Sequence, residues 1–309
     1  MDRVTASAPG SSDTVPGSTP GTVRQVAPAV GIAVAAMVSA QTGAAVFVLL
    51  FDRVGTAGAA WLRLCFAAAV LLAWARPRPL SLPLGTLRPA LALGGASALM
   101  TLCFFAAIDR IPLGTASALE FLGPLALAMA GLRRPVDVVW PLAAVSGVVT
   151  LTDPWTSSVD LVGVGFALAA AVGWGAYIVL TQRVADRFAG LDGLALSMTA
   201  AAVCATGPGL AGAVGGLDLR VLGISAGAAL LLPVVPYALE MTALRRLTTS
   251  SFGTLMSVEP AVATAVGFVL LAQGPSAAQL AGIALVVAAG LGAARGGRRP
   301  ARPACDVQA

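Results

Sequence analysis

Histidine and lysine are both absent from this chain of 309 residues, and only 11% of the residues are charged. Without histidine, the commonest metal ligand and the usual neutral-pH proton shuttle are missing. Every basic group is an arginine, which keeps its proton. Aromatic residues make up 6% of the chain, too few to favour a cage for flat cations. The four cysteines, Cys65, Cys103, Cys204 and Cys305, show neither C-x-x-C nor zinc-type spacing. Three of them lie in apolar runs, where cysteine behaves as a small hydrophobe. Disulfides, a metal site and a cofactor are therefore not expected. The acids are scattered singly, which argues against an intramembrane lipid-modifying enzyme that clusters carboxylates around a metal. No catalytic residue is expected.

What is abundant is apolar side chain, at 58%, against about 45–50% for soluble domains. Residues 1–27, rich in Ser, Thr, Pro and Gly, read as a disordered tail. Ten candidate helices follow, near 28–51, 57–75, 89–108, 113–131, 138–152, 160–181, 191–212, 220–243, 250–271 and 276–294. Most approach the ~20 residues that cross ~30 Å of hydrocarbon, and the fifth is short. A last segment, 295–309, is an Arg-rich tail.

A net charge of +5 suggests nucleic acid in a soluble protein. In a membrane protein, excess arginine sits in cytoplasmic loops and sets orientation. With both termini cytoplasmic, only Arg53, Arg110 and Arg220 fall in outer segments, and Arg63 lies inside a helix; all the others are inner. That split supports an even number of spans and excludes nucleic acid as a partner.

The chain is organised around Leu102 to Gly131, where two apolar runs are joined by the break Asp109-Arg110-Ile111-Pro112-Leu113. The second run carries Glu120 just before Gly123-Pro124. A similar design recurs with Arg245-Arg246 and Glu259-Pro260. Aligning Pro124 on Pro260 also matches Ala107 with Ala243, Arg110 with Arg246, Leu119 with Leu255 and Gly131 with Gly267. The expected fold is an all-α polytopic membrane protein of ten transmembrane helices, built as two inverted five-helix repeats over 28–152 and 160–294. Inverted repeats are a transporter design, with cargo bound near the midplane.

Residues 36–68 (AMVSAQTGAAVFVLLFDRVGTAGAAWLRLCFAA) and 104–131 (FFAAIDRIPLGTASALEFLGPLALAMAG) carry a family resemblance. The chain resembles EamA-type transporters of the drug/metabolite transporter superfamily, and among them the threonine/homoserine exporters of the bacterial inner membrane. The resemblance covers 28–294. It implies a multi-pass cytoplasmic-membrane protein that exports amino acids or similar metabolites by alternating access with proton antiport. Its implied partners are a small-molecule substrate, protons and membrane lipids, with a homodimer left open. Export of drugs or nucleobases on the same fold is the alternative.

Charges inside hydrocarbon are costly and mark sites. Glu120 lies about 10 Å into its helix at 1.5 Å per residue, and Arg63 enters from the same side to similar depth. Arg63 would hold a substrate carboxylate in its planar fork, with Glu120 taking the ammonium or a coupling proton. A permanent Arg63–Glu120 ion pair accounts for the same charges. Glu259 falls nearest the midplane, and Pro260 would loosen its helix there. The alternative is a kink in which Glu259 bonds to Thr254 or Ser257. Glu240, near the cytoplasmic end of its helix, is explained by snorkelling or by pairing with the nearby arginines. Gly123 and Pro124 would let helix four bend, and Pro233 and Pro236 helix eight. Trp61, Trp74, Trp140 and Trp155 read as interface anchors. Trp174 and Tyr177 are placed to line a cavity, with core packing the simpler role for Trp174.

Overall fold

The structure, a computed structural model, describes residues 21–76, 84–130, 135–152, 160–188, 191–236, 239, 242 and 255–296. Among the described residues there is no strand. The helices are α1 (Gly21–Val48), α2 (Phe51–Ala75), α3 (Leu84–Ile108), α4 (Leu113–Glu120), α5 (Leu122–Met129), α6 (Val139–Thr152), α7 (Leu161–Ala185), α8 (Asp192–Ala213), α9 (Leu219–Ala229), α10 (Glu259–Leu271) and α11 (Ala277–Gly296). A 3-10 turn, Pro135–Val138, leads into α6, and a π-turn, Leu230–Val234, ends α9. Five helices are long and apolar enough to cross a bilayer: Val30–Val48, Phe51–Ala75, Gly85–Ile108, Leu161–Ala185 and Asp192–Ala213. The shorter apolar segments Leu113–Met129, Val139–Leu151, Leu219–Leu232, Glu259–Leu271 and Ala277–Ala293 complete the set.

Several boundaries differ from the sequence expectation, each for a backbone reason. α1 begins at Gly21, inside the segment read as tail, because nothing after Pro20 and Gly21 opposes a helix until Pro28, which is accommodated within α1. α2 runs from Phe51, but Gly55 is non-helical (φ 67°, ψ 168°) and kinks it, so the continuous helix begins just after Gly55, close to the expected start at 57. The fourth span is interrupted at Phe121, whose φ and ψ nevertheless stay right-handed helical. Pro124 has no N–H for the carbonyl of Glu120, so the ladder breaks there. In the eighth span the break is the π-turn, where Leu232 is extended (φ −150°, ψ 100°). The ninth span begins with helical Leu255-Met256, turns at Ser257-Val258 and restarts as α10. Pro260 therefore stands in the first turn of a helix, where a missing N–H is harmless. It is not an interior kink. Glu240, Arg245, Arg246, Thr254 and Trp155 lie outside the described residues.

The core gathers Phe47 of α1, Phe51 of α2 and Phe105 of α3, with Phe105 centred 5.5 and 5.7 Å from the other two rings. Its other members come chiefly from α4, α7, α9 and α10, with Ala213 of α8. The most extensive helix pairings are α2 with α8, α3 with α7 and α6 with α11. α4 packs on α10, and α1 packs on α9, the π-turn and α10. Between apolar helices in lipid, association rests on close packing at small residues. Trp61 shows this: its ring packs on Gly209 of α8, and its Nε1 donates to Thr206 Oγ1 at 3.2 Å. Trp61 is thus a packing residue between α2 and α8 rather than an interface anchor, because Gly209 leaves room for its ring. Trp74, near the end of α2, is 68% exposed. A Cβ at Gly209 would meet Cβ and Cγ of Trp61, atoms too near the backbone to move aside. Gly209→Leu is expected to separate α2 from α8 and destabilise the protein by ~2 kcal/mol or more, visible as a lowered melting temperature in detergent.

Two ion pairs join the ends of the helices where α1 finishes and α7 begins. Arg53 Nη1 lies 3.2 Å from Asp218 Oδ2, and Arg110 Nη1 lies 2.8 Å from Asp160 Oδ2. Each aspartate also caps a helix. Asp218 Oδ1 accepts from Val221 N at 2.6 Å, and Asp160 Oδ1 accepts from Val162 N and Gly163 N at 2.8 and 3.1 Å. The hydrogen bond from Arg110, followed by that from the Gly163 N–H, holds the Asp160 carboxyl below the usual carboxylate range. A carboxylate with a lowered folded pKa contributes stability above its unfolded value of about 3.9, lost as pH falls through the folded value. Wild type should therefore lose stability below about pH 4 in a step that Asp160→Asn lacks, measured by thermal unfolding across an acid series.

Candidate functional site

A cavity of about 280 Å³ opens between α2, α3, α7 and α8. It extends along α2 from Arg63 to Trp74, a run of about 16 Å at 1.5 Å per residue, and Leu191 borders it before α8. Its polar groups are Arg63, Ser97, Thr101 and Tyr177, while Leu64, Val70, Leu71, Met100 and Met198 make most of the remaining wall. Arg63 lies about eight residues past the Gly55 kink of α2, close to the depth expected. Its Nη1 donates to Thr101 Oγ1 at 3.1 Å, and its guanidinium carbon lies 5.8 Å from the Phe105 ring centroid. That contact is a cation–π arrangement, which shelters the charge while leaving other donors unused.

The acids converge on the same region. Glu120 is the last residue of α4, and the charges of Glu259 and Arg63 both act on it. Arg63 in turn feels Glu120 and the Tyr177 phenol. Among the described residues the ion pairs within 4 Å are the two at the helix ends, so Arg63 and Glu120 are not closed into one. Glu259 is the first residue of α10, where free N–H groups favour a carboxylate. It accepts from Gln41 Nε2 at 3.1 Å. The arrangement places one fixed cation and two acids within one field: a setting for a zwitterion or for proton exchange.

Of the remaining candidates, Gly123 and Trp174 make packing contacts. At Gly123 a Cβ would meet the Ala171 carbonyl, so this glycine sets the approach of α5 to α7. Pro124 interrupts the helix one turn after Glu120. Trp174 stands edge-on to Phe121, with centroids 6.2 Å apart and planes at 70°, inside a second apolar cluster with Leu125 and Val286. Tyr177 borders the cavity directly. Pro260, buried in the first turn of α10, shapes the helix start that carries Glu259.

Two polar residues escaped the sequence reading, Thr101 and Gln41. Gln41 is 5% exposed and Thr101 is 1% exposed. A carboxamide inside an apolar run was the available signal for Gln41, since such a group needs a partner in hydrocarbon. Thr101 gave none, because threonine in an apolar helix ordinarily bonds its own backbone.

Residues 161–294 match the EamA-like transporter family. The threonine/homoserine exporter RhtA of Salmonella typhimurium (strain SL1344) is 37% identical over 260 residues, covering 83% of this chain and 88% of the relative. RhtA of Escherichia coli (strain K12) is 36% identical over 263 residues, covering 84% and 89%. One solved crystal structure shares the fold at 20% identity and a TM-score of 0.51, over 86% of this chain and 96% of that one. With identity sustained across nearly the whole of these relatives, the chain belongs to the EamA-like transporter family.

Proposed function

We propose that this protein is a secondary active exporter of small metabolites, amino acids such as threonine or homoserine first, working by alternating access with proton antiport. The observation that carries the reading is Arg63: a permanent cation at mid-helix, facing a cavity, with Glu120 in its electrostatic neighbourhood and Glu259 acting on Glu120 in turn. A guanidinium in that position suits the carboxylate of an amino acid. The threonine/homoserine exporters among its relatives support that cargo class.

The helix pairings support two inverted repeats, 28–152 and 160–294. Matching α1 to α7, α2 to α8, α3 to α9, α4-α5 to α10 and α6 to α11 maps the most extensive cross-half pairings onto themselves or one another. α2–α8, α4–α10 and α6–α11 map onto themselves, and α3–α7 maps onto α9–α1. The Phe121 break aligns with the turn at Ser257 under the match that pairs Pro124 with Pro260. Large apolar side chains such as Leu142, Val145, Phe268 and Val269 are exposed around the helices, as acyl chains require. With the arginine distribution, these features support a bacterial cytoplasmic-membrane location and cytoplasmic tails at 1–27 and 295–309.

The largely apolar wall of the cavity favours a second reading, export of bulkier apolar metabolites or drugs on the same fold. Counterflow in proteoliposomes separates the two. Saturable exchange of labelled threonine or homoserine, enhanced by an inward proton gradient, is the expected result. Silence across amino acids from folded protein, with flux of apolar compounds, would install the second reading.

A further inference from the structure

We infer that Gln41 is a positioning residue for Glu259, one that can hydrogen-bond the acid in both of its protonation states. The inference rests on the proton-antiport reading above. Gln41 is buried on α1 and its Nε2 donates to Glu259 Oε1 at 3.1 Å. The orientation follows from chemistry: the amide oxygen would repel a carboxylate, so the nitrogen faces it. The consequence is that Gln41 Oε1 is buried with no hydrogen-bond partner among the described residues. An unmatched buried acceptor costs about 1–3 kcal/mol. Methionine would fill the same space without that penalty.

The unused oxygen has a role once Glu259 takes up a proton. The acid then becomes an O–H donor. A half-turn of the Gln41 carboxamide about its Cγ–Cδ bond brings Oε1 to accept that O–H and swings Nε2 away. Only the carboxyl O–H bond forms on proton uptake, and only that bond breaks on release. No backbone motion is needed, and glutamine alone among apolar-sized side chains of this length offers both a donor and an acceptor.

The charges that face Glu259 from the described helices around it can be named. α10 packs on α4, α1 and α11. Their charged residues are Glu120 at the end of α4, Arg24 near the start of α1 and Arg295 near the end of α11. Of these, Glu120 is the group electrostatically coupled to Glu259, with Arg63 acting on Glu120 in turn. Gln41 also sits next to irregular backbone. Ser39 Oγ, one half-turn earlier on α1, donates to the Leu231 carbonyl in the π-turn at 2.9 Å, and Val234 of that turn borders the cavity. The Gln41–Glu259 pair thus lies between two interrupted spans.

The test uses full-length Gln41→Met in proteoliposomes, with labelled threonine or homoserine, whichever wild type exchanges faster. Two rates are compared: flux driven by a pH gradient, and cargo-for-cargo counterflow without one. Proton-driven flux is expected to fall about tenfold, while counterflow stays within about twofold of wild type. Counterflow in the same vesicles reports folding and cargo binding. A parallel loss of both rates would make Gln41 a packing residue and overturn the inference, as would two unchanged rates. Wild-type counterflow that ignores the pH gradient would instead overturn the antiport reading itself, and it would do so without any variant.

Discussion

Glu120→Gln should lower proton-driven transport by about 100-fold or more and leave the protein folded. The substitution keeps shape and hydrogen-bonding capacity while removing a negative charge from the field that Glu120 shares with Arg63 and Glu259. A carboxylate at mid-membrane is a liability of roughly 2.5–3.5 kcal/mol on insertion scales. Among the described residues, Glu120 gains no ion pair within 4 Å in return. Its loss therefore predicts a melting temperature equal to or above that of wild type. The two readouts together separate function from architecture. Lost flux with unchanged melting assigns the acid to the transport cycle, and unchanged flux would remove it from the mechanism.

Arg63→Lys and Arg63→Ala are expected to raise the KM for amino acids by about tenfold and about 100-fold, corresponding to loss of part or all of a charged hydrogen-bonding grip. Lysine keeps the charge but not the planar fork that meets both oxygens of a carboxylate. Some weakening has a local origin too, since the Thr101 hydrogen bond and the Phe105 face together hold the guanidinium toward the cavity. Comparing threonine with its carboxamide analogue, which lacks the anionic group, isolates the carboxylate term. Wild type should prefer threonine, and the variants should lose that preference. Equal loss for both compounds would show that Arg63 shapes the cavity without reading the carboxylate.

Arg63, Glu120 and Glu259 were visible as candidates because hydrocarbon tolerates few charges, so each one stands out against the apolar run that holds it. The kink at Gly55 was harder to read: it turns the first residues of α2 away from the main helix that carries Arg63, a backbone choice that the surrounding residues do not announce. Pro260 was visible as a helix disturbance, but whether it kinks a helix or begins one depends on where the preceding turn falls. Trp61 lies near a helix end, as an anchor would, and only its contact with Gly209 and Thr206 of α8 reveals a packing role.

What the sequence by itself determined is the set of apolar segments, their approximate ends and the charges placed within them. The bilayer enforces this, since its thickness demands runs of about 20 residues and unpaired backbone groups are excluded from it. What only the tertiary structure decided is which side chains meet. Gln41 finds Glu259, Arg63 finds Thr101, and Trp174 turns to Phe121 instead of the cavity. Such contacts depend on each helix's rotation about its own axis. In a soluble protein an apolar stripe records that rotation, but helices that are apolar on every face carry no such stripe. Here the rotation is set by small residues such as Gly209 and Gly123 meeting a neighbouring helix, and that fit exists only once both helices are in place.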